Sequence, residues 1–299
     1  MNRSPAFYPF MVTLLAIALL SLMDAFMKSA AIAVGAYSAL LVRNLMAVAM
    51  VGPAWLWQGG KWPSRPALKI HLIRSAVTAL MSLTFFSALV LLPIAEAIAI
   101  SFISPLLALG LAALILKEEI GSKAIVAAIL GFTGVAVIVG GRIGAENMTE
   151  DAAFGVALVL VSALLYAWNL VLQRQQALLA KPVEITTFQT SIVSLLLLLA
   201  APFFFTLPQG AAWLDIFGAS VLGLAGGLML AWSYRRAEAQ VLVPVEYTGF
   251  LWAALFGWLF FAEALNLAIL TGAALIIIGC WIAAPRKHTE QAATGAAAT

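Results

Sequence analysis

The segments TLLAIALLSLMDAFMK (residues 13–28) and LVLVSALLYAWNLVLQ (residues 158–173) decide the architecture, because one pattern is written twice. Ala18-Leu19-Leu20 falls on Ala163-Leu164-Leu165 at an offset of 145 positions (163 − 18), and the polar positions coincide: Asp24 meets Asn169, and Lys28 meets Gln173. Each segment is part of an apolar run of the length, about 20 residues, that a helix needs to cross roughly 30 Å of hydrocarbon. The same ungapped offset carries Glu118 onto Glu263, Ala127 onto Gly272 and Gly134 onto Gly279. The expected organisation is two repeats, residues 1–145 and 146–286, and a disordered cytoplasmic tail at 287–299.

The rest of the chain has the same character. Of its 299 residues 64% are hydrophobic and 10% charged, with a mean hydropathy of +1.06. Soluble domains carry roughly 45–50% apolar and about 25% charged residues, so this chain's solvent must be lipid. A single cysteine, Cys280, excludes a disulfide framework and a cysteine metal site. The net charge of +3 comes from scattered cations without a basic, aromatic-interleaved block, which argues against nucleic acid. Cutting at charges and Gly/Pro clusters gives ten spans: 9–28, 34–57, 70–91, 94–116, 122–140, 153–173, 184–205, 213–234, 240–261 and 266–284. A cleaved signal ending at Ala31-Ile32-Ala33 is disfavoured by Asp24 and Lys28 between the apolar run and that site.

With a cytoplasmic N-terminus, 13 of the 16 Lys and Arg fall on inner loops: Arg3, Lys61, Arg65, Lys69, Arg74, Lys117, Lys123, Arg174, Lys181, Arg235, Arg236, Arg286 and Lys287. Only Lys28 and Arg142 fall outside, and Arg43 lies within a span. This bias places both termini in the cytoplasm. Five spans per half is odd, so the halves run in opposite orientations. Inverted repeats of this kind put a substrate site near the midplane and rock around it.

An ionisable residue at depth is expensive, which marks pathways or partners. Asp24 and Lys28, four apart on one face of span one, read either as a self-neutralising pair or as part of a charge network with Arg43. Arg43 could pair with Asp24 or bind a substrate carboxylate. Glu246, in the run Pro244-Val245-Glu246-Tyr247-Thr248-Gly249, could hold a substrate amine, take up a proton, or accept a hydrogen bond from Tyr247. Ser82 and Phe85 in span three, Ser101 in span four, Tyr166, Trp168 and Asn169 in span six, and Tyr247 and Phe250 in span nine complete a candidate cavity. Glu118 and Glu263 read as solvated span ends, and His71 as a loop-edge residue. Zinc-protease and P-loop motifs, paired central aspartates and a mid-span lysine are all missing, so no catalytic group, metal or cofactor is expected.

Ala231-Trp232-Ser233-Tyr234-Arg235-Arg236-Ala237, Val243-Pro244-Val245-Glu246-Tyr247-Thr248 and Phe256-Gly257-Trp258-Leu259-Phe260-Phe261-Ala262-Glu263 resemble the second repeat of EamA proteins, in the drug/metabolite transporter superfamily. Ser104-Pro105-Leu106 and Glu118 are similar to the first-repeat motif, although Phe250 stands where many second repeats carry proline. The resemblance implies an all-α integral membrane protein: ten helices, as two inverted five-helix repeats around a cavity lined by helices 1, 3, 4, 6, 8 and 9. It also implies a bacterial inner-membrane exporter of amino acids, aromatic and other apolar ones included. A small-molecule substrate and the bilayer are then the expected partners, and a monomer suffices. A different metabolite or a cationic drug is the alternative cargo; a membrane-embedded enzyme or sensor is more remote.

Overall fold

Every regular element among the described residues is a helix. The computed structural model describes residues 7–108, 111, 122–144, 149–177, 179–234, 236, 242 and 245–283; Glu118, Pro244, most of the end of the expected fourth span and the tail at 287–299 lie outside them. In chain order the helices are α1 Phe7–Val34, α2 Ala36–Trp57, α3 Arg65–Leu91, α4 Ile94–Ser101, α5 Ser122–Gly144, α6 Glu150–Ala177, α7 Pro182–Phe204, α8 Ala212–Tyr234, α9 Gly249–Phe261 and α10 Leu267–Ala283. Helices α1, α2, α3, α6, α7 and α8 are long and apolar enough to cross a membrane, whereas α4, α5, α9 and α10 contribute shorter apolar stretches. The three long helices and two shorter ones thus occur in the same order twice.

Local sequence sets the ends. Gly35, at φ +81°, breaks α1 from α2 in a conformation that costs a residue without Cβ little. Ser64 caps α3 by accepting from the Ala67 N–H, and Pro66 fits its first turn. Leu92, extended before Pro93, stops it. Left-handed Ala262 ends α9, with the Glu263 N–H bonded back to the Gly257 carbonyl. That turn directs Glu263 inward.

Packing follows the 145-residue offset, which pairs α1 with α6, α2 with α7, α3 with α8 and α5 with α10, and carries α4 onto 239–246, just ahead of α9. Helix α1 packs along α8, and its counterpart α6 packs along α3. Ser29 donates to Asp215 (2.6 Å), Phe26 lies against Gly218 and Leu20 against Gly226, so α1 and α8 are antiparallel. Arg74 meets Asn169, Ser162 donates to the Met81 carbonyl (3.0 Å) and Leu92 lies against Gly155, so α3 and α6 are antiparallel in the same way. Counterparts that touch are antiparallel to each other. Gly141 packs on Ala268 and Gly134 on Gly272 and Ile276, while Tyr37 bonds the Leu197 carbonyl and Trp55 meets Phe188. Side chains such as Phe203 (83% exposed), Leu199 and Leu195 cover the outside with hydrocarbon, as a lipid-facing surface requires. The protein is a multi-pass membrane protein.

Candidate functional site

The helical runs to which α4 and α9 belong are both interrupted at equivalent places, one just after α4 and the other just before α9. The regular α-helix gives way to turns at Phe102-Ile103 and at Tyr247-Thr248, and Tyr247 lies 145 positions after Phe102. Their rings meet edge to face with centroids 5.3 Å apart. A break frees backbone carbonyls, which lipid cannot solvate, so neighbouring groups must satisfy them. Here the Ser104 hydroxyl does so for the Ser101 carbonyl (2.5 Å), which Pro105 has no N–H to reach, while the Ser101 and Thr248 hydroxyls add further donors to the Ala97 (2.8 Å) and Val245 (2.6 Å) carbonyls. The break in α4 lies about 12 Å along the helix from Ile94, close to half of a 30 Å bilayer.

Tyr166 is 40% exposed and yet lies within electrostatic range of Arg74 on α3 and Glu246 beside the α9 break. Its exposure beside charges on α3 and on the segment ahead of α9 puts Tyr166 at an open space between them, which is the candidate chamber. Asn169 and Gln173 continue its face of α6, Asn169 buried and Gln173 exposed. Trp168 (44% exposed) is different: it projects from the opposite side of α6, in one stripe with Val161 and Leu164. That stripe is the lipid face, so Trp168 is no part of the chamber wall. Phe250 is buried in the core, Phe85 packs on Phe86 (5.6 Å), and Ser82 is half-buried one turn before Phe86.

The near end of the bundle, where α1 begins, holds a polar cluster that the spacing alone did not reveal. Arg74 was counted as a loop cation and His71 as a loop-edge residue, but both are buried. Arg74 donates through Nε to Asn169 (3.0 Å), through Nη1 to Gln176 and through Nη2 to Gln173 (3.2 Å). Thr78 also donates to Asn169 (3.3 Å), and Gln189 donates to Thr78 (3.2 Å). Arginine only donates, so Gln176 presents its oxygen to Arg74 and its NH2 to Nδ1 of His71. The His71 proton then sits on Nε2, 3.3 Å from Glu184. The imidazole stacks on Phe188 (5.5 Å), which also carries Trp55 and Trp62 edge-on.

At the far end the charges pair otherwise than the i, i+4 spacing suggested. Lys28 does not close on Asp24: it bonds Glu263 (2.5 Å) and the Leu92 carbonyl (2.7 Å) and lies over the Phe261 ring. Glu263, expected to be solvated, is largely buried and also accepts from the Ile94 N–H (2.8 Å). Asp24 faces Arg43 electrostatically, and Arg43 lies over Phe86 (5.7 Å) in space left by Gly223. Glu96, which the sequence reading passed over, is 1% exposed and borders a cavity of about 390 Å³ with Pro93, Thr149 and Asn266. Its signal was visible: a carboxylate two positions inside an apolar helix. Among the described residues no cluster of His, Cys, Asp and Glu could hold a metal ion.

The model of the EamA-like transporter family matches this chain twice, over residues 8–140 and 153–284. The chain belongs to that family. This EamA-like transporter is 24% identical to the pseudopaline exporter CntI of Pseudomonas aeruginosa, over 87% of this chain and 90% of that one. It is 28% identical to a riboflavin transporter of Rhizobium johnstonii, over 69% and 67%. A solved crystal structure at 22% identity superposes with a TM-score of 0.62, covering 94% of the EamA-like chain and 97% of its own, a likeness of fold. The relatives' names span unlike cargoes, so family membership gives a small-molecule transporter and leaves the cargo to the chamber.

Proposed function

We propose that this EamA-like transporter exports amino acids, aromatic and other apolar ones among them, across a bacterial inner membrane. Residues 1–145 and 146–286 form inverted repeats in this reading, both termini are cytoplasmic, and the repeats rock about the crossing of α4 and α9. The observation that carries it is the Phe102–Tyr247 contact. Two residues related by the repeat offset touch where both helices break, and discontinuous helices at mid-depth are where transporters of inverted-repeat design hold substrate. The antiparallel packing of α5 on α10 and of α2 on α7 supports the inversion.

The lining supports a zwitterion. Glu246 offers a carboxylate to an amine, the arginines offer N–H donors to a carboxylate, and Phe85, Phe102, Tyr247 and Phe250 offer an apolar wall. Arg43 and Arg74 disfavour a cationic drug or polyamine as cargo, since each would repel it. Proteoliposomes loaded with each of the twenty amino acids, with and without an imposed pH gradient, test the reading. Saturable efflux of apolar and aromatic amino acids is expected, at a rate reduced at least tenfold in Glu246→Gln. Efflux of none of the twenty would overturn it.

A further inference from the structure

Arg74 is held in an unusual way for a buried cation. Its three partners, Asn169, Gln173 and Gln176, stand at helical spacing on one face of α6, and all are neutral amides. An ionisable residue inside a membrane span ordinarily pairs with another ionisable group or with backbone carbonyls, or faces a water-filled cavity. Among the described residues no carboxylate lies within 4.0 Å of Arg74; the pairs found are Lys28 with Glu263 and His71 with Glu184. Glu184 reaches Arg74 only through His71 and Gln176. The amides therefore fix the guanidinium plane without cancelling its charge. Of its five N–H groups, three are engaged, which leaves one on each terminal nitrogen.

Arg74 itself is buried, and the exposed side chains lie beside it. Tyr166 and Gln173, which flank Asn169 on the same face of α6, are both exposed. Among the described residues, the two other cations deep in helices are held elsewhere: Lys28 by Glu263, and Arg43 near Asp24 and Phe86. We infer that Arg74, oriented by Asn169, Gln173 and Gln176, binds the substrate's carboxylate, and that Glu246 across Tyr166 takes its amine. This rests on the transporter reading above and replaces Arg43 and Lys28 as the anionic subsite. The substrate class is thereby narrowed to molecules that carry both a carboxylate, or a similar planar anion, and an ammonium.

The test is transport of one amino acid and of the amine that lacks its carboxylate, phenylalanine and phenethylamine, in the same proteoliposomes. Wild type should carry phenylalanine and discriminate against phenethylamine. Arg74→Gln should raise KM for phenylalanine about tenfold to a hundredfold, the range for a lost hydrogen bond to a charged group, and abolish the discrimination. Asn169→Asp keeps the shape but supplies an internal carboxylate to Arg74. It should raise KM as much while the melting temperature of the purified protein stays at or above wild type. A purely structural Arg74 predicts the reverse, namely unchanged KM in Asn169→Asp and intact discrimination in folded Arg74→Gln. Either result overturns the inference and leaves amino-acid export standing, whereas failure of wild type to carry any amino acid removes both.

Discussion

Single residues at the far end illustrate what apolar surroundings do to charge. Lys28 and Glu263 are 235 positions apart, and each is the other's ion-pair partner at 2.5 Å. Breaking a buried pair by removing one member strands the other, at a cost of about 3–5 kcal/mol. Lys28→Met and Glu263→Gln should each lower the melting temperature of the detergent-purified protein, Glu263→Gln also weakening the acceptor of the Ile94 N–H. The double variant should lose much less than the two singles together, and thermal melts of the four proteins check this. Additive losses would mean that the pair is not coupled. The polar positions Asp24, Lys28, Arg43, Asn169 and Glu246 were legible in the sequence because each is costly in an apolar run. Their partners were not, because no spacing along α1 says that Lys28 faces the turn after α9.

At the scale of elements, close approach is bought with glycine where α5 crosses α10. A Cβ on Gly134 would lie 2.6 Å from the Gly272 carbonyl oxygen, and a Cβ on Gly272 the same distance from that of Gly134. Backbone cannot step aside as a side-chain tip can, so Gly134→Ala should push the helices apart and lower the melting temperature by several degrees. Gly140, on the same helix with nothing within 4 Å of its Cβ position, is the control. Gly140→Ala should be neutral or stabilising by up to about 1 kcal/mol, from helix propensity alone. Equal melts for the two variants would refute the close contact. Gly134 and Gly272 stand out in the sequence through the repeat offset, and the long spans are placed there within a few residues. The interruptions at Phe102 and Tyr247 are not located by hydropathy, and their local sign is a proline three residues away in each case, Pro105 and Pro244. Arg74 lies near the start of the 70–91 window and so reads as a loop cation, whereas the Ser64 cap starts α3 at Arg65 and carries Arg74 well into the bundle.

For the whole molecule, the question is whether equivalent parts of the two halves face opposite sides of the membrane. The turn at 58–64 after α2 and the turn at 205–211 after α7 occupy the same place in each repeat. Gln58 and Gln209 are both exposed there. Inner-loop cations put residues 58–64 in the cytoplasm, and five intervening spans then put 205–211 outside. With Cys280 replaced by serine, Gln209→Cys in intact cells should react with a membrane-impermeant maleimide, and Gln58→Cys should react only after the membrane is opened. Labelling of both from one side would make the repeats parallel, and the Phe102–Tyr247 contact could not then lie on an axis in the membrane plane. The expected outcome has a mechanical consequence. If the halves are inverted copies, the two ends are closed by equivalent helices carrying different chemistry: Lys28 on α1 and its counterpart Gln173 on α6. The far end is locked by an ion pair to Glu263, while at the near end Gln173 holds Arg74 through a neutral amide, which asks much less energy to part. An asymmetric pair of latches on a symmetric frame favours the state open towards the near end, and substrate bound between Arg74 and Glu246 is what the frame must convert into a broken Lys28–Glu263 contact. Lys28→Met should therefore change the labelling of the Gln58 and Gln209 variants little but raise maleimide access from the far end to a cysteine placed at Ser21, about two turns of α1 to the chamber side of that latch.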